Sequence, residues 1–302
     1  MAVSEVDNGN WGRWGDDDQR GALNVLRDEH VRRAAAMVRT GKTYSLGLPI
    51  QGEGVPLLGH RVRPARLTSN DSTDAAHAEA MGADPGTGFH EDVVMFASHT
   101  TTHMDALIHV YEHGHHYNGV PAGAMQAHAG ATRLGIEHVG GFAARAVLLD
   151  MVRHLGYEQW LPQDRTITGD ELAAAAESLA LAVGPGDVVL IRTGYLDLWF
   201  AEGDANASGG QAGLGLDAAE WLASRDVVAV GADNAAVEVI PFDQGSFLGV
   251  HKVLLVRHGI YLLEFLDLRA AAADGVTEGL ITIAPLKVTG ATGSPINPIL
   301  IT

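Results

Sequence analysis

Short apolar runs alternate along the chain with segments in which apolar residues recur at helical spacing. The apolar runs predict buried β-strands at residues 146–151, 187–194, 226–233 and 260–263. The helical segments, which begin at acidic or hydroxyl residues, lie at 28–38, 168–183 and 217–223. Because buried strands that alternate with helices form parallel or mixed sheets, the pattern predicts an α/β fold with buried, partly parallel strands.

Two segments depart from this alternation. Residues 51–90 are rich in Gly, Pro, Asp and Ser and show little periodicity, so we expect them to wall or cover a functional site. An apolar strand at 92–97 follows and leads directly into a histidine-rich stretch. At the other end, residues 1–26 carry Trp11 and Trp14 and are expected to form an N-terminal arm. These tryptophans either cover a pocket or pack on the surface.

The histidine-rich stretch suggests a metal site. Six of the 15 histidines lie within residues 99–116. Side chains alternate faces in an extended chain, so His99, His103 and Asp105 would share one face, whereas on a helix Asp105 would turn away. Residues 100–102 are all threonine, which favours the extended form. Two imidazoles and a carboxylate on one face are typical ligands of Zn²⁺ or Mn²⁺. The alternative is a structural or pH-sensing histidine cluster.

The spacing also sets the local geometry. Fully extended, the chain from His99 to His103 spans about 13 Å, near the limit at which two imidazoles share one ion. We therefore predict a bend between these two residues. His103 and Asp105 are close enough to chelate without one. His109 is farther along the chain and is expected beside the metal as a catalytic group.

Composition narrows the functional classes. The net charge of −17 argues against nucleic acid or an anionic membrane as a partner. Without cysteine, any metal must be held by histidine and carboxylate side chains. The absence of a signal-like N-terminus or a long apolar run leads us to expect a cytoplasmic protein. Neither a Gly-x-Ser-x-Gly elbow nor a glycine-rich phosphate loop occurs, so serine-hydrolase and nucleotide chemistry are not supported.

The histidine motif resembles the signature of the metal-dependent cyclase family, H-x-G-T-H-x-D-x-P-x-H, to which bacterial kynurenine formamidase and isatin hydrolase belong. The matching positions are His99, Thr102, His103, Asp105 and His109. Thr101 stands where the family has Gly, and Leu107 stands where it has Pro. The resemblance implies a swivelling β/β/α fold in a single domain, residues 1–302, that assembles as a homo-oligomer.

A second part of the site is expected near residue 264. Glu264 follows an apolar strand and precedes Phe265, so its carboxylate is expected to be dry and to need a metal, another cation or a proton. His251 begins a segment of about two helical turns that Gly259 ends. The resemblance implies that His251 and Glu264 complete the metal environment. An ion pair with an arginine is the alternative for Glu264.

Together these features predict a metal-dependent hydrolase of an amide, aryl-formamide, lactam or lactone carbonyl in a small molecule. The metal would lower the pKa of a bound water toward about 7. His109 would act as general base on that water and then as acid to the leaving group. Two alternatives remain: a metal-dependent lyase, cyclase or dehydratase, and a non-catalytic protein that binds a small molecule or a metal.

Overall fold

A mixed β-sheet organises the described part of the chain, residues 9–203 and 209–302 of a computed structural model. The strands are β1 Thr43–Ser45, β2 Ala65–Asn70, β3 Glu91–Met95, β4 His103–Asp105, β5 Met125–Gln126, β6 Gly130–Ala131, β7 Phe142–Asp150, β8 Thr166–Ile167, β9 Val188–Arg192, β10 Gly213–Leu214, β11 Ala229–Ala232, β12 Tyr261–Glu264, β13 Glu278–Ile283, β14 Gly293–Pro295 and β15 Ile299–Ile301. Nine of them form the sheet in the order β1-β15-β13-β7-β9-β11-β12-β4-β14, and the other six form two-stranded ribbons.

Helices and short helical turns connect these strands. The α-helices are Asp28–Ala35, Ala75–Ala80, Met151–His154, Gly169–Ser178, Tyr195–Glu202, Leu216–Ala223, Gly249–His251 and Arg269–Ala273, and a π-helix, Lys252–Arg257, continues from His251. The 3₁₀ turns are Gly21–Val25, Ser72–Asp74, Tyr117–Gly119, Ala122–Ala124, Ile136–His138 and Asp243–Gly245. No helix in the described residues is long and apolar enough to cross a bilayer.

The centre of the sheet confirms the predicted buried, partly parallel strands. Strands β7, β9, β11 and β12 run parallel to their neighbours in this group. Every residue of β11 is buried, as are the first four residues of β9. Because both faces of these strands are covered, their sequences read as continuous apolar runs without alternation. The flanking strands β13, β15, β1, β4 and β14 pair in antiparallel fashion.

Helix boundaries differ from the sequence-based expectation. The helix predicted at 28–38 ends at Ala35, and the one predicted at 168–183 ends at Ser178. The second ends early because Ala180 adopts φ +53°, a left-handed conformation that an α-helix does not continue through. The helix that Asp217 was predicted to cap begins instead at Leu216, with Gly215 as its N-cap, so Asp217 lies in its first turn. The Asp217 carboxylate accepts a hydrogen bond at 2.9 Å from the Gly169 amide of the neighbouring helix.

The region expected to be irregular contains an element that the sequence pattern did not reveal. Strand β2 lies within residues 51–90 and pairs with β3, which corresponds to the apolar strand predicted at 92–97. The two strands pair only with each other within the described residues, and nearly all of their side chains are exposed. We call residues 60–95 the hairpin arm.

The N-terminal segment, described from residue 9 onward, packs beside the π-helix. Trp11 Nε1 donates a hydrogen bond to Val256 O at 2.7 Å, and Asn10 N donates to Arg257 O at 2.8 Å. Trp11 and Trp14 are half-buried against the main core. Their environment therefore matches the packing alternative. Residues 1–8 of the predicted arm lie outside the described residues.

Candidate metal centre

Strand β4 positions the first two predicted ligands. His103 and Asp105 are two residues apart in this strand, so their side chains project from the same face. In the antiparallel pair with β12, His103 lies directly opposite Glu264. Because opposite residues of such a pair share a face, His103 Nε2 and Glu264 Oε2 approach to 3.1 Å. The register of two strands thus brings together residues separated by about half of the chain.

The predicted bend between His99 and His103 is present. Thr101 adopts φ +44°, the left-handed conformation that favours glycine, even though its side chain is β-branched. Such a conformation persists only where the surrounding structure enforces it. The neighbouring Thr102 hydroxyl is buried and donates to Phe265 O at 2.5 Å, which ties the bend to the end of β12. Threonine at the family's glycine position therefore keeps the bent backbone.

The bend returns His99 to the face occupied by Asp105. His99 Nδ1 lies 2.7 Å from Asp105 Oδ1, and His99 Nε2 lies 2.9 Å from Thr292 Oγ1. Gly293 makes room for this imidazole, because a Cβ atom there would come within 2.7 Å of His99 Cε1. Both ring nitrogens of His99 therefore have partners. Binding a cation would require His99 to release one of them.

A buried carboxylate fixes the orientation of His251. Glu238 Oε1 lies 2.5 Å from His251 Nδ1, and the Glu238 carboxylate also accepts from the backbone N–H groups of Val250 and His251. Nε2 of His251 then faces the centre, 3.6 Å from Asp105 Oδ2 and 3.4 Å from Glu264 Oε1. A second hydrogen bond that fixes the ring orientation is typical of metal-binding histidines.

Unpaired polar atoms at the centre fit a cation. His103 Nε2, Asp105 Oδ2 and Glu264 Oε2 are buried and make no hydrogen bond of normal geometry, although His103 Nε2 and Glu264 Oε2 lie 3.1 Å apart as an ion pair. Leaving one such atom unpaired costs roughly 1–3 kcal/mol, and more for a charged group. Among the described residues two triads could hold an ion, and they share Asp105: His99 with His103 and Asp105, and Asp105 with His251 and Glu264. The nitrogen and oxygen donors suit a borderline divalent metal.

The electrostatics of the centre also favour a positive charge. Burial would raise the pKa of Asp105, but His109, His251 and His99 hold that pKa well below its usual range. Burial and Asp105 likewise oppose ionisation of Glu264, yet His103 and His251 lower its pKa. Glu264 forms ion pairs with these two histidines, and no arginine pairs with it in the described chain, so the arginine alternative is wrong.

The buried carboxylates also shift the pKa of His251. Burial lowers its pKa, but Asp105, Glu238 and Glu264 raise it well above the ordinary value. The carboxylates therefore attract a proton to His251 when no metal is bound. A divalent cation would compensate the same charges and displace that proton.

His109 lies beside the predicted ligands. Its ring centroid is 4.0 Å from that of His99 and 6.3 Å from that of His251. It also lines an open cleft of about 480 Å³, together with Phe247 and Lys252. Burial lowers the pKa of His109 to about 3, so the imidazole is neutral near pH 7. This position agrees with the prediction that His109 lies next to the metal site, while the catalytic role of His109 stays a prediction.

The sequence pattern did not identify the residues that support the predicted ligands. Glu238 lies between two buried valines, which is the signal that identified Glu264, and it could have been found in the same way. Thr292 and Gly293 carried no such signal. Their importance depends on the pairing of β14 with β4, which joins positions far apart in the chain.

The family model described as a putative cyclase matches residues 44–239. Cyclase-like protein 3 of Oryza sativa subsp. japonica is 31% identical over 210 residues, which cover 68% of this chain and 63% of that protein. The chain therefore spans less than two thirds of the length of this relative.

Solved structures extend the comparison to the fold. A crystal structure described as a novel cyclase is 34% identical, covers 99% of both chains and superposes with a TM-score of 0.88. An isatin hydrolase bound to the product analogue thioisatinate is 18% identical over 85% of this chain and 91% of its own, with a TM-score of 0.61. At that identity the similarity concerns the fold alone. These matches confirm the predicted cyclase-like fold, and with the family model they show that the chain belongs to the cyclase family.

Proposed function

We propose that the protein is a metal-dependent hydrolase that cleaves an amide, aryl-formamide, lactam or lactone carbonyl of a small molecule. The observation that carries this proposal is the buried group of side-chain atoms from His103, Asp105 and Glu264 that face one another without a hydrogen bond. His109 and an open cleft lie directly beside it. The fold shared with an isatin hydrolase supports the same class of reaction.

The metal would be Zn²⁺ or Mn²⁺, because the available donors are imidazole nitrogens and carboxylate oxygens. We assign its binding to His99, His103, Asp105, His251 and Glu264. When bound, the ion supplies a Lewis acid that polarises the carbonyl and lowers the pKa of water.

His109 would carry the proton between water and the leaving group. With its pKa lowered by burial, the imidazole is neutral near pH 7 and has a lone pair to accept a proton from attacking water. The protonated ring can then pass the proton to the leaving nitrogen or oxygen as the bond between that atom and the carbonyl carbon breaks.

The cleft beside His109 suits a small substrate. Its volume of about 480 Å³ lies within the usual range for small-molecule sites. Tyr111, Phe247 and Leu248 provide apolar walls, and Lys252 adds a positive charge. Aromatic formamides and lactams therefore match the cleft in size and polarity.

The proposal is tested by turnover in protein that has been stripped of metal and then reloaded with Zn²⁺ or Mn²⁺. A panel of aryl formamides, lactams and lactones, isatin among them, would be assayed in ¹⁸O-labelled water. We expect activity that rises with metal content and product that carries the label. Turnover without label would favour the lyase alternative, and binding without turnover would favour the non-catalytic one.

His109→Ala should separate catalysis from metal binding. We expect turnover to fall about 10²- to 10⁴-fold, the usual contribution of general acid–base catalysis, while metal content by elemental analysis stays close to that of the wild type. His103→Ala is the matched comparison and should lose most of the metal. Loss of metal in the His109 variant would instead make His109 a ligand, and full metal occupancy in the His103 variant would contradict the assigned ligands.

Glu264→Gln keeps the shape of the side chain and removes its charge. Because a metal that binds only the native state stabilises it, weaker binding should reduce the gain in melting temperature on adding metal. Thermal unfolding of both proteins with and without metal measures this gain. An equal gain in wild type and variant would show that Glu264 is not a ligand.

Glu238→Gln should weaken metal binding without removing a ligand. Supporting residues of this kind typically contribute about 10- to 100-fold in metal affinity, which a chelator competition measures. Glu278→Gln is the control, because Glu278 pairs with Arg145 in strands β13 and β7 and not with the predicted ligands. Equal metal affinity in the two variants would exclude a role for Glu238 in orienting His251.

A further inference from the structure

The cleft beside His109 has aromatic walls that stay open to solvent. Tyr111 is 60% exposed and Phe247 is 68% exposed. Phe242 supports Phe247 from the side, with the two ring centroids 5.1 Å apart and the rings nearly perpendicular. Tyr111 packs in the same manner against His116, at 5.7 Å. Aromatic surface that is held in place without being covered suits the ring of a small ligand.

The charges along this cleft do not cancel. Apart from histidines, two ionisable side chains line it, Glu112 and Lys252. Arg257 neutralises Glu112 through two hydrogen bonds, from Nε to Oε2 at 3.0 Å and from Nη2 to Oε1 at 2.9 Å. The Glu112 side chain is only 9% exposed, so its carboxylate is directed to the arginine and away from a ligand. Since this pair has no net charge, Lys252 makes the cleft positive.

The ammonium group of Lys252 remains available to a ligand. Its Nζ donates to Ser246 Oγ at 3.1 Å, and within the part of the chain that the structure describes it pairs with no carboxylate. Lys42, in contrast, pairs with Asp274. Because an ammonium has three donors, the bond to Ser246 orients the side chain and leaves donors for a ligand. In a chain of net charge −17, a cation that faces a cleft without an acidic partner indicates an acidic ligand.

Lys252 also lies next to the predicted metal centre. It follows His251 directly, as the first residue of the π-helix. Successive helical residues point in different directions, so the His251 imidazole faces the centre while Lys252 lines the cleft. His109 belongs to both regions, since it lines the cleft and its ring centroid is 6.3 Å from that of His251. One small molecule in the cleft can therefore contact Lys252 and His109 together.

We propose that Lys252 binds a carboxylate of the substrate, so that the protein acts on aromatic amides, formamides or lactams that also carry an acid group. In this arrangement the carboxylate pairs with the ammonium, the ring lies between Tyr111 and Phe247, and the reacting carbonyl faces His109. One ammonium balances the single charge of a carboxylate, whereas a phosphate carries nearly two. The substrate class rests on the proposed function, but the anion site does not.

Matched substrates test the site in metal-loaded protein. Each ring isomer of formamidobenzoate is compared with the corresponding formamidobenzamide, which keeps the shape and removes the charge. Lys252→Met should raise KM for the preferred acid about 10- to 100-fold, the usual contribution of a hydrogen bond to a charged group, while KM for the benzamide and both kcat values change less than about twofold. An equal change in KM for the acid and the benzamide would overturn the proposal.

Two further variants control for charge and folding. Lys42→Met removes the same charge near the opposite edge of the sheet from β4, and should leave KM for the acid unchanged. Lys252→Arg keeps a cation in the cleft and should retain most of the preference for the acid. Thermal unfolding of each variant checks that it is folded. A Lys42 variant that loses the preference as fully as Lys252→Met would show that only the total charge matters, and would overturn the site.

Binding without turnover separates the anion site from the proposed function. Calorimetric titration compares aminobenzoates with the matching aminobenzamides, both in metal-loaded protein and in metal-free protein, where a carboxylate cannot bind a metal. We expect at least one acid to bind about tenfold more tightly than its benzamide, and the preference to shrink with added salt and to vanish in Lys252→Met. Selective binding without hydrolysis of any formamide would refute the hydrolase and keep the anion site. Acids that do not bind, or a preference that survives Lys252→Met, would overturn the anion site.

Discussion

Two carboxylates that must share a dry site, those of Asp105 and Glu264, impose the main constraint on this structure. Both are buried, and each has an oxygen without a hydrogen-bond partner. Like charges in such surroundings require positive charge nearby. The histidines around them, and the metal that we propose, answer that requirement. The register of β4 with β12 and the position of His251 bring these groups together.

Backbone conformation is part of the same arrangement. Thr101, Leu248 and Phe265 adopt φ values of +44°, +50° and +54°. Each lies within three residues of a predicted ligand along the chain. Such conformations are unfavourable for residues other than glycine and are typical of functional sites, where surrounding contacts enforce them. The predicted ligands therefore reach the centre through turns that have an energetic cost.

The sequence predicted the parts of the structure that depend on local periodicity. His103 and Asp105 share a face because a strand repeats every two residues, and Glu264 was recognised by its apolar neighbours. Central strands were predictable because both of their faces are covered. In contrast, Gly293 and Thr292 matter only through pairing between distant strands. The hairpin arm was hidden because its strands are exposed and lie in a segment rich in turn-forming residues.

The contact between the N-terminal segment and the π-helix bears on how firmly His251 is held. The last carbonyl groups of a helix have no partner within the helix, and helix ends fray for this reason. Here Asn10 and Trp11 donate to the carbonyls of Arg257 and Val256, at the end of the π-helix. The helical segment was expected to begin at His251, but it begins at Gly249, and His251 is the last residue before the π-helix. Local opening of this segment would leave these carbonyls without partners and loosen the helical segment that carries His251, a proposed metal ligand, while the central sheet remains folded.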